Sequence, residues 1–317
     1  MGGRSRGATP GGPGTPGPGD SGGGDSSAGA ARRGGGGEKT SAQALLSKLG
    51  SSRINNIFTH LRKIAQHPLL VRNNYTDAQV QEMAKIAAAN NLFGGQCTVP
   101  RVTQEFMGYS DYQLHTFCTI NYGFLGAYRL DPGCLLTSGK LQELDRLLRE
   151  LKERGSRPLI FSQWTSVLDV MEWFLHERGM AFYRLDGSTN VTDRLSICDS
   201  FNAPDSPAFA FLLSTRAGGQ GLNLTGADTV ILHDVDFNPQ VDRQAEDRCH
   251  RLGQTRKVTV YRLVCDNTVD ADIYAIQQRK LRLDAAVLEG VTISTEPEAT
   301  GGRRAPHGVD PGGAARG

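Results

Sequence analysis

Two blocks of the sequence carry groups suited to gripping phosphate. The first runs Ser214-Thr215-Arg216-Ala217-Gly218-Gly219-Gln220-Gly221-Leu222-Asn223-Leu224. Three glycines in four positions let the backbone come close to a ligand and aim successive N–H groups at it. Ser214, Thr215 and Arg216 add hydroxyls and a cation. The alternative is a glycine-rich surface turn that binds nothing. The second block runs from Gln244 to Gln254 and contains Arg248 and Arg251. On a continuous helix at about 100° per residue, Gln244, Arg248 and Arg251 fall within about 60° of one another. Two guanidinium groups three residues apart can clamp one polyphosphate through paired hydrogen bonds, which a lysine point charge cannot do. The plainer reading is a solvated helix face, since Asp242, Arg243, Glu246, Asp247 and His250 flank the cluster.

Two shorter segments, Ser162-Gln163-Trp164 and Asp186-Gly187-Ser188-Thr189, each follow an apolar run. Each is read either as simple helix capping or as a ligand loop. The seven histidines show no metal-ligand spacing, and no Ser/His/Asp or Cys/His arrangement stands out, so the expected metal set is empty. A phosphate-binding P-loop needs G-x-x-x-x-G-K-[ST]. The sole Gly-Lys dipeptide, Gly139-Lys140, is followed by Leu141 and has Cys134 at the place of the first glycine. No Asp-Glu dipeptide occurs, so no D-E-x-H motif is present to hold Mg²⁺ and orient water.

These segments need elements to hold them. From Ser138 onward, short apolar runs alternate with amphipathic stretches. Strands are expected at 158–161, 181–185, 208–213, 229–232 and 258–264. Helices are expected from the Ser138 cap to Gly155, over 167–178, around Leu195–Phe201, over 239–252 and over 270–288. Asp186–Thr189 is expected to form a turn and a cap. Strands alternating with helices predict an α/β fold with a mostly parallel sheet covered on both faces. Ligands then sit at the carboxyl ends of strands, where the loops above lie. Before Ser138 the pattern is helical, at 42–67, 77–89 and 111–122. The first of these is expected to stop at His67-Pro68. A turn-rich segment with Gly94-Gly95 and Pro100 is expected between the other two.

Of 39 glycines in 317 residues, 16 lie in residues 1–37 and six in 301–317. Both ends are read as disordered tails too poor in apolar residues to offset ordering entropy. The remaining length suits one domain and an appendage, too little for a two-lobed motor. The 35 basic and 33 acidic residues nearly balance, at +2, so a nucleic-acid partner has to be read from local features. The longest strongly apolar stretch, Ala208–Leu213, is far short of a membrane span. No apolar stretch follows the N-terminal arginines, which excludes a signal peptide. Six scattered cysteines without a C-x-x-C pair suggest reduced thiols.

Taken in order, LIFSQW (159–164), YRLDGST (183–189), STRAGGQGLNL (214–224) and QAEDRCHRLGQ (244–254) resemble the second RecA-like lobe of SWI/SNF-type DNA translocases. These are superfamily-two, helicase-like ATPases that remodel chromatin. RINNIFTHLRKIAQHPLLV (53–71) is similar to the helical segment joining that family's two lobes. KLRLDAAVL (280–288) is most similar to the SMARCA-containing DEAD/H-box type, with a plant or algal cast. The resemblance implies a RecA-like lobe at 135–290, a helical inter-lobe segment at 41–134, and tails at 1–40 and 291–317. It implies that Arg248 and Arg251 are arginine fingers reaching a γ-phosphate. Gly219, Gly221 and Gln244 would line the same nucleotide cleft. Ser162, Gln163, Gly187, Ser188, Thr215, Arg216 and Phe237 would touch the DNA backbone. Many relatives carry tryptophan where this chain has Phe237.

ATP and Mg²⁺ are the implied cofactors, with the metal held by a first lobe. The implied partners are double-stranded DNA, nucleosomes and that first lobe, with no membrane, and the implied location is the nucleus. Upstream of residue 53 the sequence is a glycine-rich tail, so this chain is expected to be a fragment or a lone second lobe, inactive by itself. The alternative is a non-catalytic DNA- or motor-binding module.

Overall fold

The computed structural model describes residues 51–95, 97–218, 221–251 and 253–289. Both expected tails and the first part of the expected 42–67 helix lie outside these residues. Helix α1 covers Ser51–Gln66. It stops before His67, whose extended backbone (φ −160°, ψ 134°) obeys the restriction that Pro68 imposes. The His67 Nδ1 then accepts the Leu69 N–H at 3.0 Å, and a 3₁₀ turn spans Pro68–Leu70.

Helices α2 (Asp77–Ala89), α3 (Val99–Met107) and α4 (Asp111–Ile120) form an appendage with its own core of Val80, Met83, Phe106, Leu114 and Cys118. Thr76 and Ser110 start α2 and α4 with reciprocal caps to Gln79 and Gln113. Helix α3 corrects the expectation of a turn-rich connection. Pro100 falls in its first turn, where no intrahelical N–H bond is lost, so the apparent breaker is compatible with a start. The third expected helix ends at Ile120, and a separate turn follows at Tyr122–Leu125.

The α/β part begins with α5 (Gly139–Glu153), capped by the Ser138 hydroxyl, which accepts the Leu141 N–H. Then come β1 (Pro158–Ser162), α6 (Thr165–Glu177), β2 (Phe182–Leu185), α7 (Val191–Asn202) and β3 (Ala210–Ser214). They are followed by β4 (Thr229–Leu232), α8 (Pro239–Glu246), β5 (Thr259–Arg262) and α9 (Val269–Glu289). All strand pairs are parallel, in the order β2-β3-β1-β4-β5. The expected α/β architecture, a parallel sheet with helices on both faces, is the observed one.

Alternation along the strands divides the core. Ile160, Leu212 and Ile231 lie in register and pack with Leu144 and Leu148 of α5 and Leu168 and Met171 of α6. Leu159, Phe161, Phe211, Leu213, Val230 and Leu232 face the other way, toward Phe201 of α7 and Ala245 of α8. Phe201 and Phe211 meet with ring centroids 5.0 Å apart. Burying each such aromatic or leucine contributes about 1.5–3 kcal/mol. A sheet fixed from both sides holds the carboxyl ends of its strands still, and those ends carry the loops of interest.

One helix is shorter than its periodicity predicts. Helix α8 ends at Glu246, not near Leu252. The Arg248 N–H bonds back to the Ala245 carbonyl and Cys249 to that of Glu246, which are three-residue steps. The Arg248 carbonyl accepts the Leu224 N–H from another loop at 3.2 Å. Cys249 is fully buried, with its Sγ on the Ala227 carbonyl. Tertiary bonding thus takes this stretch out of the helical ladder. Gln244 lies on α8, while Arg248 and Arg251 lie in the turns beyond it, so the three do not share one helix face.

Candidate functional site

Register brings three loops together. Ser162 pairs with Ser214, and Leu185 with Leu213, so the chain leaves β1, β3 and β2 side by side. The loop after β4 joins them through Asp234. This carboxylate is buried, accepts the Ser162 hydroxyl on Oδ2, and accepts the Gln163 N–H on Oδ1 at 3.0 Å. Burial pushes the Asp234 carboxyl up from its ordinary range, against the pull of Ser162 and Gln163. Ser162 is fully buried and its hydroxyl also accepts the Trp164 N–H. Its side chain is therefore spent on shaping the loop. The Gln163 amide donates to the Val235 carbonyl at 2.9 Å. Phe237 is half-buried, its ring 6.1 Å from that of Phe58 on α1.

Asp186 organises the loop after β2. Its Oδ2 accepts both Arg184 Nε (2.9 Å) and Nη2 (2.7 Å). Its Oδ1 accepts the Ser188 N–H (2.8 Å) and hydroxyl (2.6 Å). Burial works to raise this carboxyl, but the Ser188 bonds and the Arg184 charge outweigh it and hold it below the usual range. Arg184 is itself fixed by Asp169 and Glu172 of α6, each at 2.6 Å. Gly187 and Ser188 stand exposed at the tip. The turn expected at Asp186–Thr189 is present, but the residue heading α7 is Asn190, with no side-chain capping bond. The segment is a loop held by a buried carboxylate.

After β3 a single helical turn, Thr215–Gly218, follows directly. Thr215 is buried, and the Arg216 side chain is exposed with no ion pair among the described residues. Gly219 lies outside the described residues. Gly221 has φ +77°, a left-handed conformation that a glycine adopts without strain. Its carbonyl accepts Arg251 Nη1 at 2.8 Å. The glycine block and the Gln/Arg block therefore abut. Gln244 is exposed, and its carbonyl accepts Arg248 Nε at 2.9 Å.

Arg248 is 6% exposed, and its Nη1 is buried with no hydrogen-bond partner among the described residues. Among the described residues neither Arg248 nor Arg251 has a carboxylate within ion-pair distance. Burial lowers the Arg248 pKa from the usual arginine range, and the charge of Arg251 adds to the fall. Asp247 offsets part of this charge from beyond ion-pair distance, and two like charges, one of them desolvated, are costly unless an anion completes the set. Among the described residues no group of three or more His, Cys, Asp or Glu side chains is arranged to hold a metal ion.

Three residues that carry no local sequence signal also shape the site. Asp234 ties β1 to β4. Lys140, noticed only as part of a failed P-loop, is buried and bonds Gln66 Oε1 (2.8 Å), the His233 carbonyl (2.7 Å) and Asp270. Arg62 reaches from α1 to the β1 and β4 loops. All three act across more than 70 positions of sequence, so no local spacing marks them. The one available signal was the apolar helix pattern at 53–66 that carries an arginine amid it.

A model of the helicase conserved C-terminal domain matches residues 139–253. The chain is 52% identical over 267 residues to "Protein CHROMATIN REMODELING 19" of Arabidopsis thaliana, a match covering 83% of this chain and 35% of that protein. It is 41% identical over 229 residues to the human "SWI/SNF-related matrix-associated actin-dependent regulator of chromatin subfamily A containing DEAD/H box 1", covering 72% of this chain and 22% of the relative. The chain thus spans about a third or less of the length of these curated relatives. Among solved structures, the C-terminal part of the Fun30 ATPase domain matches with a TM-score of 0.69 and 34% identity, over 76% of this chain and 77% of that one.

Proposed function

The chain belongs to the SWI/SNF-related family of helicase-like chromatin remodellers and carries their helicase C-terminal lobe, and from that premise we propose that it is the second RecA-like lobe of an ATP-dependent double-stranded DNA translocase acting on nuclear chromatin. The observation that carries this reading is the pair Arg248 and Arg251 beside the glycine block, without an ion-pair partner and with Arg248 Nη1 buried and unpartnered among the described residues. Bound ATP would supply the phosphoryl group to be transferred and the energy of the cycle, with its Mg²⁺ held by a first RecA-like lobe. Arg248 and Arg251 would meet the charge growing on that group. An arginine in this role contributes on the order of 10³–10⁵ in rate. Gln244, Gly219 and Gly221 would line the same cleft.

The DNA-facing groups are those along the carboxyl edge. Gly187, Ser188 and Arg216 are exposed there. Ser162 and Thr215 support from beneath, and Gln163 and Phe237 border the edge. Contacts of this kind go to the sugar-phosphate backbone and carry no sequence preference. With a first lobe supplied, DNA-stimulated ATP hydrolysis is expected. Arg248→Ala and Arg251→Ala should each reduce turnover by about 10³-fold or more, with duplex binding nearly unchanged. Retained turnover in both variants overturns the finger assignment.

A second reading is a non-catalytic DNA- or motor-binding module. The preformed Asp186 and Asp234 loops favour it, because their shape depends on no nucleotide. It predicts salt-dependent duplex binding that ATP and a first lobe leave unchanged.

A further inference from the structure

Arg62 sits on α1, outside the helicase-domain match. Its guanidinium carbon lies 5.3 Å from the ring centre of Trp164 and 5.7 Å from that of Phe237. Trp164 comes from the loop after β1 and Phe237 from the loop after β4. One nitrogen, Nη2, meets Gln163 Oε1 at 3.4 Å, a long contact. Among the described residues Nη1 has no partner, the buried Nε has none either, and no carboxylate lies within ion-pair distance. Three other half-buried arginines differ. Arg178 pairs with Asp145, Arg184 with Asp169, Glu172 and Asp186, and Arg157 with the Ala208 carbonyl.

Arg62 is therefore held by aromatic rings, with donors left over. A guanidinium stacked on aromatic rings loses little freedom when its N–H edge meets an anion. The edge lies at the carboxyl ends of β1 and β4, beside Gln163 and Phe237. We infer that Arg62 is a further phosphate-contacting residue, contributed by the helix preceding the helicase lobe to the same duplex DNA backbone. The inference rests on the DNA-binding reading above. It makes α1 part of the DNA grip, so that the helix and the lobe hold one strand together.

The test is binding of the full chain to a mixed-sequence DNA duplex by fluorescence anisotropy, across 50–200 mM salt. Each phosphate contact contributes about 0.9 to the slope of log affinity against log salt. Arg62→Ala should lower the slope by about that amount, shrinking the affinity loss across this range by about 3.5-fold. Arg62→Lys should keep the slope and weaken binding, because the charge stays and the stacked plane is lost. Arg62→Gln repeats the test with the side-chain bulk retained, should Arg62→Ala melt early. A wild-type slope in folded Arg62→Ala or Arg62→Gln overturns the inference and leaves the DNA-binding reading standing. Absence of salt-dependent binding by the unaltered chain overturns both.

Discussion

Lys140 shows how a single buried charge can join distant parts of the chain. Its side chain is 2% exposed, with ammonium donors directed at Gln66 on α1, the His233 carbonyl beyond β4 and Asp270 on α9. His233 directly precedes Asp234, which shapes the Ser162–Gln163 loop. Removing one partner of such a pair leaves an uncompensated buried charge. Lys140→Met is therefore expected to cost about 3–5 kcal/mol in urea unfolding. Lys140→Met with Asp270→Leu should recover much of that, since the orphan charge goes too. At this scale the sequence was informative where ligand-facing groups are contiguous. The glycine block and the two arginines stand out because a phosphate cradle needs neighbouring N–H groups and cations. Asp234, Lys140 and Arg62 were not legible, because each is defined by partners that only the folded sheet brings near.

The elements obey local rules wherever caps and apolar runs agree. Ser138 and Gly155 bracket α5, and Gly179 closes α6, with φ +69° and +57° at the two glycines. Nothing lies within 4 Å of where a Gly155 Cβ would stand. Gly155→Ala thus isolates the backbone cost of the left-handed conformation, about 1 kcal/mol, measurable as a lowered urea midpoint with unchanged m-value. The parallel sheet was legible for the same reason: its strands are short, apolar and bounded by turn residues. The misses came where a local rule was outweighed. Pro100 reads as a breaker yet starts α3, because proline is tolerated in a first turn. The helix expected to reach Leu252 stops at Glu246 because the Arg248 carbonyl and Cys249 bond to the loops holding Leu224 and Ala227. Periodicity reports a face, and it is blind to a carbonyl claimed from elsewhere.

Across the folded unit, buried titratable groups tie stability to pH with opposing signs. Burial lowers His67 and His233, and brings His115 down to about 4, where it stacks on Trp173 at 4.0 Å. In the unfolded chain these three titrate near 6.5. Between about 4 and 6.5 the unfolded state therefore binds protons that the native state refuses, and stability falls as pH falls. Burial raises Asp234, and pushes Asp242 up to about 6 against the bond from Gln277. Those two hold protons in the native state that the unfolded chain releases near 3.9, so they oppose the histidines. The histidines outnumber the two carboxyls, so the balance on acidification is a net uptake of protons on unfolding. The melting temperature is expected to fall from pH 7 to pH 5. Asp242→Asn should steepen that fall by deleting one opposing group, with the Asn carbonyl still able to accept from Gln277. His115→Asn should flatten it. A melting temperature that rises on acidification, or an Asp242→Asn variant that flattens the profile, would show that the native state holds these groups in charge states opposite to those their burial dictates.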